Sequence, residues 1–107
     1  MITIITGDDE RIPITLKKGG NTFVISQTAV IKVAIVDKNH TKVLAGPVIV
    51  DKAEPGSNLA TSSIVAIIPG KITEMVTPQQ AQIEVEINDD GKNSWHADIK
   101  LVKGLIK

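Results

Sequence analysis

The sequence predicts an all-β domain, an immunoglobulin-like β-sandwich of about seven or eight antiparallel strands. Three observations lead there. Short runs rich in Ile and Val alternate apolar with polar residues, Gly, Pro, Asn and Asp cluster between those runs, and helical periodicity never exceeds one turn. A small closed barrel fits the same pattern and stands as the alternative. The 107 residues read as a single domain, 1–107, with 42% hydrophobic and 22% charged residues, the balance of a globular chain. One Phe, one Trp and no Tyr leave Ile and Val to build the core, and β-branched side chains suit a pleated surface.

Ile2 to Thr6 is a short β-like run that stops at the turn signal Gly7-Asp8-Asp9. Arg11 to Leu16 alternates, with Ile12, Ile14 and Leu16 on one face, and Pro13 places this strand at an edge because it offers no ladder N–H. Lys17 to Asn21 is a hairpin loop around Gly19-Gly20. Thr22 to Ile25 is short and apolar, with no fixed facing. Val30 to Val36 reads as a central strand that is apolar on both faces, with Lys32 its sole polar residue.

Asp37 to His40 turns the chain, and Thr41 to Val50 follows, broken at Gly46-Pro47 by a bulge or an edge kink. Asp51 to Thr61 is the longest loop, and Ser62 to Ile68 is the next strand, stopped by Pro69-Gly70. Lys71 to Val76 has room for a single helical turn.

Ala81 to Ile87 gives the clearest signal: Ala81, Ile83, Val85 and Ile87 face one way, and Gln82, Glu84 and Glu86 the other. A slip of one residue would bury two carboxylates, so the facing is strongly specified. After Asn88 to Gly91 the alternation resumes through Trp95, Ala97, Ile99 and Leu101. The hairpin is expected to pair Val85 with Ala97, Ile83 with Ile99 and Ile87 with Trp95. Trp95 is expected to be largely buried as a core plug.

Little in the sequence speaks of chemistry. With 12 basic and 12 acidic residues the chain lacks the charge excess behind non-specific nucleic-acid binding, and it has no polybasic cluster for a membrane surface. The absence of cysteine excludes disulfides and thiolate metal sites. The first residues show neither a basic n-region nor a long apolar segment, so no signal peptide is visible and synthesis in the cytoplasm is expected. His40 and His96 lie far apart and outside metal-ligand spacings, and both are expected to be surface histidines. The acidic turns at Asp8-Asp9 and Asp89-Asp90 read as turn chemistry, without the ligand ladder of a calcium loop. Ser62-Ser63 has no adjacent base. No catalytic residue, cofactor or metal ligand is assigned, and the expectation is a protein that is not an enzyme.

One pattern extends across most of the chain. It runs from Gly7-Asp8 through Ile12-x-Ile14-x-Leu16 and Gly19-Gly20 to Ala29-x-Ile31-x-Val33-x-Ile35-x-Asp37 and Val48-x-Val50. It continues with Ile72-Thr73-Glu74, Ile83 to Ile87, Asp90-Gly91 and the run from Trp95 to Val102. Over positions 7 to 103 this resembles the immunoglobulin-like N-terminal domain of phage baseplate upper proteins and related small phage and prophage tail proteins. The resemblance implies a non-catalytic virion component: a tail, baseplate or fibre-associated adaptor or decoration module. Thr77-Pro78 stands where family members often carry a Gly. The chain also stops soon after its last strand, so no receptor-binding part is expected to follow.

A carbohydrate-binding or adhesion module is the alternative, weakened by the shortage of aromatic rings. Under the leading reading the partners are other copies or phage structural proteins, without nucleic acid or membrane. The candidate interaction face is Val30, Ala34 and Val36, because a strand apolar on both sides needs two covers. One cover is expected from the Ile83/Val85/Ile87 side of the closing hairpin. The other is a partner, or the termini through Ile2, Ile4, Ile5, Leu105 and Ile106.

Overall fold

Nine strands run through residues 2–89 and 91–105, the part of the chain described by a computed structural model. They are β1 (Ile2–Thr6), β2 (Glu10–Thr15), β3 (Lys17–Lys18), β4 (Asn21–Thr22), β5 (Val30–Asp37), β6 (Val43–Ile49), β7 (Ser63–Ile68), β8 (Gln80–Asn88) and β9 (Lys92–Lys103). A 3-10 turn spans Leu59–Thr61, and one short helix, α1, spans Gly70–Thr73. One sheet has the order β1-β9-β8-β5-β6; β2 and β7 form a second, and β3 and β4 a small hairpin. The fold is an all-β sandwich. Ile31, Val33 and Ile35 of β5, Ile83, Val85 and Ile87 of β8, and Ile4, Ile99 and Leu101 pack as one core with Ile12, Ile64, Ala66 and Ile68 of the smaller sheet.

Local chemistry explains most of these elements. Along β8 buried and less buried residues alternate without a break, as the period of two requires. Gly19 and Gly20, at φ +61° and +80°, supply the two positive angles of a tight hairpin between Lys18 and Asn21. Pro13 sits opposite Val65 in the two-stranded sheet, where both strands are edges. The β5–β6 register shifts between Val33 and Ile35, beside Gly46 at φ +93° and a cis Gly46-Pro47 peptide.

The structure corrects three expectations. First, β1 pairs with β9 in parallel, Ile4 opposite Leu101. Hairpin-linked strands must run antiparallel, but strands from opposite ends of the chain are under no such constraint.

Second, the β8–β9 register lies two residues from the expected one: Val85 faces Trp95, Ile83 faces Ala97 and Ala81 faces Ile99. The facing survives, and the charges explain the choice. The expected register sets Glu84 opposite Asp98. The observed one sets Glu84 opposite His96, and Asp98 opposite Gln82, whose side-chain amide donates to Asp98 at 2.9 Å.

Third, β5 and β8 are neighbours in one sheet, Ile31 opposite Ile87, so the β8 apolar face lies beside that of β5 and does not cover it. The cover comes from Ile12, Ile64 and Ile68.

Trp95 packs against the core with most of its surface covered, as expected. Its ring meets Phe23 edge-on, with centroids 5.3 Å apart, and its indole N–H donates to the Lys17 carbonyl at 2.9 Å.

Candidate functional site

The outer face of the large sheet brings together residues that the sequence keeps apart. On β8, Glu84 stands opposite Ala34 of β5 on one side and His96 of β9 on the other. His96 Nε2 lies 3.1 Å from Glu84 Oε1. His40, on the turn between β5 and β6, places Nδ1 4.0 Å from the same oxygen. The two imidazole rings meet edge-on with centroids 4.0 Å apart. One ligand-capable atom from each of His40, Glu84 and His96 falls within 4.8 Å of the others. All three side chains are partly open to solvent.

The geometry depends on the Asp37 turn. Asp37, buried at the end of β5, accepts hydrogen bonds from the Thr41 hydroxyl (2.6 Å), the Thr41 amide (2.7 Å) and the Lys42 amide (2.8 Å). The His40 amide donates to the Asp37 carbonyl at 3.0 Å. His40 itself has φ +58°, a left-handed conformation uncommon outside glycine and enriched for His. The turn is therefore clamped at its base while its tip carries a histidine back over the sheet.

The Thr41 hydroxyl and then the Lys42 amide hold the Asp37 carboxyl down to about 2. A carboxyl whose native pKa lies below its unfolded value contributes stability that is complete above about pH 4 and is lost as pH falls through about 2. Asp37→Asn is expected to flatten the fall in melting temperature across that window, as read by thermal melts at stepped pH.

The candidate face from the sequence is divided by burial. Val30 is 43% exposed, whereas Ala34 and Val36 are 7% and 5% exposed within the single chain. Val43 stands beside Val36 across the β5–β6 pair, and the backbone at Gly46 lies against Ala34. Among the described residues the N-terminal strand gives no such cover, since β1 is at the opposite edge of the sheet; Ile106 lies outside the described residues. Two apolar side chains absent from the sequence candidates do reach solvent on this face, Val43 at 53% and Ile49 at 74%.

The other candidates resolve into structure. Asp9 accepts a hydrogen bond from the Gly70 amide, and Asp89 one from the Thr28 hydroxyl, while Asp90 is outside the described residues. The Ser62 hydroxyl is buried, and among the described residues it has no hydrogen-bond partner and no base to activate it.

The histidine pair escaped sequence reasoning because its members lie on different elements. The signal that could have found it is the register, since a Glu on β8 opposite a His on β9 is fixed once the hairpin loop is set at three residues. Among the described residues no helix is long and apolar enough to cross a membrane. Comparison with protein-family models and with curated proteins finds no match to this chain.

Proposed function

We propose that this chain is a non-catalytic structural module of a phage-like particle, a tail, baseplate or fibre-associated adaptor or decoration protein acting through protein–protein contacts. The observation that carries the reading is the apolar group at the β6 edge. Ile49 and Val43, with Val30 on the adjoining strand, are exposed on one face beside the outermost strand of the large sheet. Pro47 offers no N–H along that edge, which favours contact through side chains over extension of the ladder.

The strand order supports the immunoglobulin-like reading. In chain order β2, β5, β7, β8 and β9 take the places of strands B, C, E, F and G, with B beside E and C-F-G together. The resemblance to baseplate upper protein domains supplies the setting, and the exposed apolar edge supplies a means of assembly. A formal net charge of +0 offers little long-range repulsion between copies.

Light scattering over a range of concentrations tests the assembly. The parent chain is expected to gain mass as concentration rises. Ile49→Lys is expected to remain monomeric, with stability within about 0.5 kcal/mol of the parent because the site is exposed. A parent monomeric throughout, and matched by Ile49→Lys, would withdraw the structural support for the reading.

A further inference from the structure

We infer that His40, Glu84 and His96 form a binding site for a divalent first-row transition metal, with zinc the appropriate probe. The site lies on the outer sheet face and does not depend on the β6-edge contact or on the setting in a particle.

The donor set decides the class of ion. Two imidazoles and a carboxylate suit zinc and its neighbours, whereas calcium and magnesium call for oxygen ligands in greater number. The spacing fits as well. Ligand atoms at about 2.0–2.2 Å from a tetrahedral zinc stand roughly 3.3 Å from one another. His96 Nε2 and Glu84 Oε1, 3.1 Å apart, already meet that spacing. His40 Nδ1, 4.0 Å from Glu84 Oε1 and with all three ligand atoms within 4.8 Å of one another, reaches that spacing by a shift of about an ångström in an exposed side chain. Three protein ligands on an open surface leave the fourth position to water.

Two further features favour an ion over a simple hydrogen-bonded cluster. Two imidazole rings, with centroids 4.0 Å apart, crowd against the one Glu84 oxygen that both address. A metal ion gives both rings an attractive partner at once. In addition, His40 is held in a left-handed conformation by a turn whose base is clamped at Asp37, so the ring is aimed before any ion arrives. Two of the ligands sit on paired strands, where the ladder fixes Glu84 opposite His96. An ion at this point ties the β5–β6 turn to β8 and β9.

Calorimetric titration of the full chain with zinc chloride, alongside thermal melts, tests the inference. One ion per chain is expected, with a melting temperature that rises with zinc and returns on chelation, as for any ligand that binds the native state alone. His96→Ala and His40→Asn, which suits the left-handed turn, should each weaken zinc binding by at least about tenfold while leaving the metal-free melt little changed. Calcium should produce no shift. Absence of zinc binding below millimolar concentration would overturn the site. So would binding that persists unaltered in the His40→Asn/His96→Ala double variant, because the ion would then sit on other residues.

Discussion

Gly70→Ala is expected to cost about 3–5 kcal/mol, among the largest effects of any single methyl group added to this chain. Gly70 opens α1 directly beneath the β1–β2 turn. A Cβ there would fall on the carbonyl of Gly7, deep inside van der Waals contact, and 2.8 Å from the carbonyl carbon of Asp8. Those neighbours are backbone and cannot swing away.

Relief requires the turn and the helix to separate, and two hydrogen bonds hold them. The Gly70 amide donates to Asp9 Oδ1 at 2.8 Å and the Gly7 amide to Thr73 Oγ1 at 3.0 Å, while within α1 the Thr73 hydroxyl donates to the Gly70 carbonyl at 3.2 Å. Each bond is worth about 0.5–1.5 kcal/mol net, and Thr73 is fully buried, so separation also strands a polar group. Urea unfolding measures the loss. Gly91→Ala is the control: among the described residues no atom beyond its chain neighbours lies within 4 Å of a Cβ at that position, and a change within about 0.5 kcal/mol is expected.

Ile35→Ala is expected to cost about 2–5 kcal/mol, a large share of the ~5–15 kcal/mol that a domain of this size has to lose. Ile35 is fully buried on β5, opposite Ile83 on one side and Ala45 on the other. It faces the two-stranded sheet, whose Ile12, Ile64 and Ile68 belong to the same core. Strands on both sides hold the backbone in place, so the void closes poorly and the cavity cost is retained. A midpoint shift in urea at unchanged slope would confirm the mechanism, and a shift below about 1 kcal/mol would show that the site collapses. Trp95→Ala should cost less than a fully buried tryptophan would, since part of the side chain still meets solvent.

The fold was legible where one residue type carried one meaning. Ala81 to Ile87 could adopt a single facing, because the alternative buries Glu84 and Glu86, and β8 has that facing. Gly19-Gly20 and Gly46-Pro47 marked a hairpin and a bulge through backbone geometry alone. Register was harder to read. Two registers of the closing hairpin present identical apolar faces, and the choice falls to a three-residue loop and to Asp98 meeting Gln82 in place of Glu84. The cover on Ala34 and Val36 was hidden for a similar reason. It comes from the neighbouring strand and its bulge at Gly46, which a reading of β5 by itself does not contain.

The site was the least legible feature. His40 and His96 carry no local motif, and 55 residues separate them along the chain. Their meeting requires the β5–β8–β9 order, the register that sets Glu84 opposite His96, and a turn folded back by the Asp37 carboxylate. None of these is a property of a short window. The Asp37 turn itself was marked in the sequence as a reversal, although its left-handed histidine was not.

The parallel partnership of β1 and β9 has a consequence for the chain as it is made. A ribosome delivers Ile2–Thr6 first, but the strand beside which it belongs is not finished until Lys103 has emerged. At about 5–20 residues per second, that is a wait of roughly 5–20 s. Throughout it an apolar five-residue β-segment has no place to dock, and such segments are prone to pair with whatever strand edge is near. The sheet's other neighbours, β5, β6 and β8, can pair as they appear. Completion of this sheet is therefore timed by the arrival of β9, and until then β1 is still seeking shelter.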